Sequence, residues 1–142
     1  MAFMTWNESY SVKVYEIDEE HKQLFKMIND LHDAMKSGQG STVVAKVLDR
    51  LVRYTRIHFA NEEEAMARVE YPAFLSHVAV HRELTQKVEE LLVKVKGGTV
   101  GVSVEVMDFL QRWLTDHIMQ MDQKYVPYLT GKAAPEFAVA AR

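Results

Sequence analysis

Apolar side chains recur every three or four residues through most of this chain, which is the spacing of one face of an α-helix. Strand-like alternation is short and is confined to residues 10–17. The pattern therefore predicts four long amphipathic helices with three short breaks between them. We expect these helices to begin at Asp18, at Ser41 or Thr42, at Tyr71-Pro72, and between Thr99 and Ser103.

Local signals set the predicted ends of the helices. Aspartate is a favourable N-cap at residue 18, and proline is tolerated in a first helical turn such as the one expected at Tyr71-Pro72. Because short connections make neighbouring helices antiparallel, the sequence predicts an all-α, antiparallel up-down-up-down four-helix bundle. The first helix should stop before Ser37-Gly38-Gln39-Gly40, the second should run to about Ala67, and the third should end at Gly97-Gly98.

The 142 residues are enough for one domain with its own core. We assign residues 1–130 to the bundle and interpret residues 1–17 as an extended arm that folds over it, with Trp6 as an apolar anchor. Residues 131–142 are rich in alanine and contain Pro135, which is typical of a flexible tail.

Net charge and cysteine content narrow the possible functions. A formal net charge of -3, with basic residues scattered among acidic ones, offers no basic surface for nucleic acid. The chain has no cysteine, so any metal must be bound by nitrogen and oxygen ligands. It shows neither a signal peptide nor an apolar run long enough for a transmembrane helix, and we expect a cytoplasmic protein.

Five of the six histidines and two acidic residues lie at positions that an up-down bundle brings to one end. They fall early in the first and third predicted helices and late in the second and fourth. A residue at the opposite end of its helix would be displaced by tens of ångströms, at about 1.5 Å per residue. The predicted site comprises His21, His58, Glu62, His77, His81, His117 and Asp122.

Spacing within the helices also favours a shared site. Residues four apart lie on one helical face, with roughly 5–6 Å between their Cβ atoms. His117 and Asp122 are five apart, which in a regular helix would turn them away from each other. We therefore predict a π-helical widening near Met119, or a loosened helix there. The pairs spaced by four are His58 with Glu62 and His77 with His81.

A single pair of this kind is more often a surface pair or a hydrogen-bonded core histidine than a metal site. Seven such residues on apolar faces favour a metal site, because burying unpaired imidazoles and carboxylates is costly. Five imidazoles and two carboxylates are too many for one ion and indicate two, for which iron, manganese and zinc are all suitable. His32 lies about 16 Å along the helix axis from His21, at the rise of an α-helix, so we expect it near the far end of the bundle or at its surface.

Four stretches of the sequence resemble the motifs of the hemerythrin family, specifically its single-domain bacterial members. The resemblance extends from about Trp6 to Tyr125 and leaves the C-terminal tail outside. It implies a four-helix bundle that holds two non-haem irons joined by an oxo or hydroxo bridge. The stretches are Ile17-Asp18-Glu19-Glu20-His21-Lys22, His58-Phe59-Ala60-Asn61-Glu62-Glu63, Tyr71-Pro72 followed by His77 and His81, and Trp113-Leu114-Thr115-Asp116-His117-Ile118 followed by Asp122.

The resemblance also implies how the two irons are held. Position by position, it assigns one iron to His77, His81 and His117 and the other to His21 and His58, with Glu62 and Asp122 as bridging carboxylates. This assignment leaves one coordination position open on the second iron, where members of the family bind dioxygen reversibly.

The function that follows from the resemblance is reversible dioxygen binding without catalysis, for oxygen storage or for delivery to an oxygen-consuming enzyme. A dry apolar pocket around the open position would slow the loss of bound oxygen as superoxide. None of the side chains expected in this pocket is protonatable, which argues against a proton-delivering oxidase. These side chains would also serve as ordinary core, and they are Leu24, Phe59, Trp113, Leu114 and Ile118.

Three other functions are compatible with the sequence. A di-iron redox enzyme acting on peroxide or nitric oxide would combine fast autoxidation with sustained turnover. An oxygen or redox sensor would need a separate partner, because the bundle takes up almost the whole chain. A purely structural bundle would be unaffected by the removal of iron. The sequence leaves the oligomeric state open.

Overall fold

The computed structural model describes residues 2–38, 40–98 and 103–131, and the helices in this part of the chain account for most of it. The described residues contain no β-strand, and the all-α prediction is confirmed. The helices are α1 (Tyr15–Lys36), α2 (Ser41–Arg68), α3 (Phe74–Lys96), α4 (Val104–His117) and α5 (Gln123–Leu129), with a π-helical turn over Ile118–Asp122 and a 3-10 turn over Glu8–Tyr10.

The long helices pack side by side as an antiparallel bundle. The most extensive contacts join α1 to α2 and α2 to α3, and α4 returns against α1. One core runs the length of the bundle, and several of its side chains are completely buried, each contributing roughly 1.5–3 kcal/mol relative to an exposed position. These include Leu24, Ile28, Leu31, Leu48, Leu51 and Leu110.

Helix α1 begins three residues earlier than predicted, at Tyr15 rather than Asp18. The Asp18 carboxylate accepts hydrogen bonds from the Val12 backbone N–H at 2.8 Å and from the Ser11 hydroxyl at 2.6 Å. Asp18 therefore accepts hydrogen bonds as an N-cap residue does. Its partners, however, belong to the N-terminal arm, which folds back over the first turn of the helix. The last three residues of the predicted arm, residues 15–17, belong to α1.

Helix α3 begins at Phe74, so the predicted start at Tyr71-Pro72 was wrong. After α2 ends, Glu70 adopts a left-handed conformation with φ of 53°. The Tyr71 backbone N–H then donates to the Met66 carbonyl at 3.0 Å, and the Phe74 N–H donates to the Tyr71 carbonyl at 3.0 Å. Proline at residue 72 thus lies in the tight turn that precedes the helix.

The other predicted helix ends agree with the structure. Helix α2 covers Ser41–Arg68, and α1 and α3 both stop before their glycine-containing breaks. Ser103 is the N-cap of α4, and its side chain accepts a hydrogen bond from the Val106 N–H at 3.4 Å. The remaining candidates for the start of α4, residues 99–102, lie outside the described residues, as does the predicted tail beyond Gly131.

The N-terminal arm is fixed to the bundle by a pair of hydrogen bonds and by aromatic packing. The Met4 N–H donates to the Asn29 side-chain oxygen at 2.7 Å, and the Asn29 amide donates back to the Met4 carbonyl at 2.9 Å. Trp6 is half-buried and packs edge-on against Phe25, with 5.5 Å between ring centroids. The predicted role of Trp6 as an anchor is confirmed.

A second, smaller apolar cluster closes one end of the bundle. It joins the arm to the ends of α1 and α2 and to α5, a helix that the apolar pattern did not predict. No helix in the described ranges is both long enough and apolar enough to cross a bilayer. The buried members of the cluster are Val12, Ile17, Met66, Tyr71 and Tyr125.

Candidate metal centre

All seven predicted ligands come together at one end of the bundle, where α1 and α3 begin and α2 and α4 end. Each is buried, with at most 6% of its surface exposed. Their donor atoms form two groups that share Glu62, and the atoms of each group lie within 4.8 Å of one another. One group is Glu62, His77, His81, His117 and Asp122, and the other is His21, His58 and Glu62.

The π-helical turn explains how one helix supplies both His117 and Asp122. Hydrogen bonding between residues five apart widens the helix, so that the two side chains project to the same side. The structure forms this turn over Ile118–Asp122, which confirms the predicted widening near Met119. As a result, Asp122 is fully buried, and its Oδ1 lies 3.1 Å from the Nε2 of His117.

The Asp122 carboxylate lies between imidazoles of the two groups. Its Oδ1 atom is 3.1 Å from the Nε2 of His77, which lies in the first turn of α3. Its Oδ2 atom is 3.2 Å from the Nε2 of His21, which lies in α1. The two oxygens of one carboxylate therefore face predicted ligands on opposite sides of the cluster.

The Glu62 carboxylate has a similar position. Its Oε1 atom lies 3.2 Å from the Nε2 of His58 and 3.4 Å from the Nε2 of His81, while its Oε2 atom lies 3.4 Å from the Nε2 of His21. Glu62 therefore lies between His81 on one side of the cluster and His21 and His58 on the other.

Several of these buried atoms have no hydrogen-bond partner within the described part of the chain. They include both oxygens of Asp122 and the Nε2 atoms of His21, His58 and His77. Leaving such groups unpaired in an apolar interior costs several kcal/mol each, about 2–7 kcal/mol by transfer measurements. A metal ion would satisfy these nitrogen and oxygen donors, so the cluster has the chemistry needed to bind metal.

Two contacts show which ring nitrogens face the inside of the cluster. The Nδ1–H of His81 donates to Glu63 at 2.8 Å, so its Nε2 is the nitrogen that faces the cluster. That Nε2 lies only 3.1 Å from the Nε2 of His117. Two imidazole nitrogens at this distance are readily accommodated when they are ligands of the same ion.

The carboxylates raise the pKa of two of the imidazoles in the metal-free cluster. Burial alone would lower the pKa of His58, but the charge of Glu62 and a hydrogen bond to Glu20 raise it to about 10. Burial also lowers the pKa of His21, and the carboxylates of Asp122 and Glu62, 3.2 and 3.4 Å from its Nε2, outweigh that effect and raise it. Without metal, protons therefore occupy part of the site.

The pKa values of the two buried carboxylates, Glu62 and Asp122, are lowered. Burial would raise the pKa of Glu62, but the positive charge of His58 and hydrogen bonds from the imidazoles hold it well below its usual value. For Asp122, burial and the charge of Glu62 both raise the pKa, but the imidazoles of His117 and His21 together outweigh them and lower it. Both residues are therefore ready to bind a cation as carboxylates.

Three residues that contact the ligands were not predicted. Glu20 accepts a hydrogen bond from the Nδ1–H of His58 at 2.7 Å, and Glu63 makes the equivalent contact with His81. The Tyr125 hydroxyl donates to Oε2 of Glu62 at 2.5 Å. Glu20 and Glu63 each adjoin a predicted ligand in the sequence, but only the packing of the helices shows which histidine each one contacts.

Tyr125 is completely buried, and its ring stacks on that of His77 at an angle of 27°, with 5.7 Å between centroids. Burial, followed by the charges of Glu62 and Asp122, raises the pKa of this phenol well above its usual value. Tyr125 therefore stays protonated and remains a hydrogen-bond donor. No pattern in the sequence around residue 125 indicated this role.

The five residues expected to line an oxygen pocket are all buried in the main core. Phe59 lies directly against the site, since its ring stacks on that of His81 with 3.8 Å between centroids and 5° between planes. The ring centroid of Trp113 lies 6.4 Å from that of Phe59, and the indole N–H of Trp113 donates to the Leu84 carbonyl at 3.0 Å. The remaining three, Leu24, Leu114 and Ile118, are at most 3% exposed.

His32 stands apart from the centre, as expected. It is half-buried and stacks on Phe3 of the N-terminal arm, with 4.4 Å between ring centroids. It belongs to neither group of donor atoms.

A four-helix bundle with a buried set of imidazoles and carboxylates defines a class of helical proteins built to hold non-haem metal ions. Residues 12–129 match the family model described as the hemerythrin HHE cation binding domain. This match covers more than half of the chain, and the chain belongs to the hemerythrin family. The family implies a non-haem iron centre, and the cluster described above supplies a site for it.

Individual relatives support the same assignment. The chain is 35% identical to a bacteriohemerythrin of Methylococcus capsulatus, over 92% of this chain and 99% of that protein. It is 34% identical to a myohemerythrin of Theromyzon tessulatum, over 84% of this chain and 88% of the relative. A crystal structure of a wild-type hemerythrin, 34% identical, covers 91% of this chain and 99% of its own with a TM-score of 0.85. These likenesses extend over nearly the whole bundle.

Proposed function

We propose that this protein binds dioxygen reversibly at a di-iron centre and acts as an oxygen carrier, not as an enzyme. The observation that supports this proposal best is the unequal division of the imidazoles around two shared carboxylates. Glu62 and Asp122 each lie within 3.4 Å of imidazoles from both sides of the cluster, Glu62 through His81 and His21 and Asp122 through His77 and His21. This is the arrangement needed for two adjacent ions with different numbers of ligands.

In the proposed centre, three imidazoles hold one iron and two hold the other. Adding one oxygen from each carboxylate and a solvent-derived bridge gives six donors at the first iron and five at the second. One position is therefore available for a small ligand. When bound, the two irons supply the reversible two-electron chemistry that holds dioxygen. The first iron is assigned to His77, His81 and His117, the second to His21 and His58, and the bridges to Glu62 and Asp122.

The surroundings of the ligands favour binding over turnover. Apolar side chains, including the proposed pocket residues Leu24, Phe59, Trp113, Leu114 and Ile118, exclude water and anions from the centre. Neutral imidazoles also add less negative charge than the glutamates of ferritin-like di-iron enzymes. We therefore propose that bound oxygen is released unchanged, for storage or for delivery to an oxygen-consuming enzyme.

One experiment tests this proposal directly. The iron-loaded protein is reduced without oxygen, exposed to oxygen and then deoxygenated, and its visible spectrum is followed through several cycles. We expect a charge-transfer band that appears and disappears reversibly. Irreversible bleaching, or a protein that retains no iron after reconstitution, would refute the proposal.

A di-iron redox enzyme acting on peroxide or nitric oxide is the second candidate. The observation in its favour is Tyr125, whose hydroxyl donates to the proposed bridging ligand Glu62. The predicted pocket contains no protonatable side chain, and Tyr125 places one beside the centre from another direction. Sustained consumption of reductant in the presence of peroxide or nitric oxide would favour the enzyme. Iron-dependent binding of a separate protein would favour a sensor.

A further inference from the structure

We propose that Glu20 and Glu63 are positioning residues that each orient and strengthen one histidine ligand, one on each side of the centre. This inference rests on the proposed di-iron site and adds two residues that control how tightly each iron is held. The two carboxylates differ from the proposed bridges because they contact the outer nitrogen of the imidazole, Nδ1, rather than the inner nitrogen.

On the side of the second iron, Glu20 in α1 contacts His58 in α2. The His58 Nδ1–H donates to Oε1 of Glu20 at 2.7 Å, and the His58 side chain is only 1% exposed. The second oxygen of Glu20 accepts from the Asn61 amide at 2.7 Å. With both oxygens engaged, Glu20 has a fixed orientation. It keeps a proton on Nδ1 of His58 and so favours the tautomer whose unprotonated Nε2 can bind metal.

On the side of the first iron, Glu63 in α2 contacts His81 in α3. The His81 Nδ1–H donates to Oε2 of Glu63 at 2.8 Å, and the His81 side chain is 2% exposed. The stacked ring of Phe59 fixes the plane of the same imidazole. Each of the two contacts therefore links neighbouring helices and holds the outer nitrogen of a proposed ligand.

In the part of the chain that the structure describes, only some of the proposed histidine ligands have a carboxylate at Nδ1. The Nδ1 atoms of His21 and His117 are buried and have no hydrogen-bond partner within the ranges that the structure describes. Each proposed iron thus has one imidazole that donates to a carboxylate and at least one that does not. A carboxylate that accepts the Nδ1–H makes the imidazole a stronger donor, and loss of such a partner typically weakens metal binding by about 10–100-fold.

The sequence offers unusually close controls for this inference. Glu19 and Glu64 adjoin Glu20 and Glu63, yet their side chains are 45% and 63% exposed and pair with lysine or arginine on their own helices. Replacing any of the four by glutamine removes the same charge at nearly the same place. Only Glu20→Gln and Glu63→Gln alter a contact with a ligand.

The experiment measures iron loss to a chelator and the midpoint reduction potential of all four iron-loaded glutamine variants. We expect Glu20→Gln and Glu63→Gln to lose iron about tenfold faster or more, and to shift the potential upward, because a weaker donor stabilises the ferric state less. Glu19→Gln and Glu64→Gln should stay within about twofold of the unmodified protein. Equal effects in all four variants would overturn the proposal, since they would reflect net charge alone.

Two further measurements keep the test decisive. Asn61→Ala frees one oxygen of Glu20 without changing charge or ligand, and it should speed iron loss in the same direction by a smaller factor. Circular dichroism identifies any variant that fails to fold, in which case Asn61→Ala decides the question for Glu20.

Unmodified protein that holds two irons but binds no oxygen would refute only the proposed function. Unchanged iron loss in Glu20→Gln and Glu63→Gln would refute only this inference.

Discussion

Replacing Tyr125 by phenylalanine removes one hydroxyl from the buried end of the bundle. The ring would keep its packing against His77, at 5.7 Å, and against Tyr71, at 6.4 Å between centroids. What is lost is the hydrogen bond to Oε2 of Glu62. The substitution therefore isolates one contact to a carboxylate whose surroundings are otherwise unchanged.

The expected cost follows from the type of hydrogen bond. A hydrogen bond to a charged group contributes about 1.5–3 kcal/mol, and Glu62 has no exposed surface through which water could replace the donor. We expect Tyr125→Phe to lower the unfolding free energy of the metal-free protein by about this amount, which corresponds to roughly 10–100-fold in the folding equilibrium.

Urea unfolding of the metal-free protein, followed by circular dichroism, measures this change. Tyr128→Phe is a matched control, because Tyr128 lies on the same helix, is half-buried and packs against Tyr71 at 5.1 Å between ring centroids. The control should change the unfolding free energy by less than about 0.5 kcal/mol, as expected away from special contacts. Equal destabilisation by the two substitutions would refute the role assigned to the Tyr125 hydroxyl.

Three further predictions concern the centre. His77→Ala should lower iron content and thermal stability together, because ligation energy is also folding energy, whereas His32→Ala should leave the iron content unchanged; elemental analysis and thermal melts test both. Leu114→Ala should hasten autoxidation while iron stays bound, and loss of metal in this variant would make Leu114 structural. Adding iron(II) to metal-free protein at pH 7.5 should release protons, because burial lowers the pKa of His58 but Glu62 and Glu20 raise it to about 10, so the metal must displace a proton. A pH indicator in weak buffer measures the release, and affinity should fall as the pH falls.

The fold could be predicted well because helical periodicity is a local property of the sequence. Apolar spacing located four helices, and their short connections determined the antiparallel order. The same order explains why residues as distant as His21 and His117 could be expected at one end of the bundle. The five-residue spacing between His117 and Asp122 even predicted the π-helical turn, since a buried carboxylate at residue 122 requires it.

The parts that could not be predicted depend on contacts between distant segments. Asp18 has the chemistry of a helix cap, and only the folded arm shows that its partners are Ser11 and Val12. The same limit applies to Glu20, because an acidic residue next to a histidine is usually a solvated surface charge. Its partner is His58, 38 residues away, and that pairing depends on how α1 and α2 are aligned.

The positions of two side chains, Asp122 and Tyr125, both depend on the π-helical turn over Ile118–Asp122. In a regular α-helix with the same residues, everything after this stretch would be rotated by roughly 100° about the helix axis. Asp122 and Tyr125 would then both face away from the cluster, and Glu62 would lose its hydroxyl partner. The turn thus takes up one extra residue between His117 and Asp122, and deleting one residue would restore the spacing of four at which a regular helix keeps both side chains on one face. Such a deletion would therefore change the type of helix without changing which way Asp122 points.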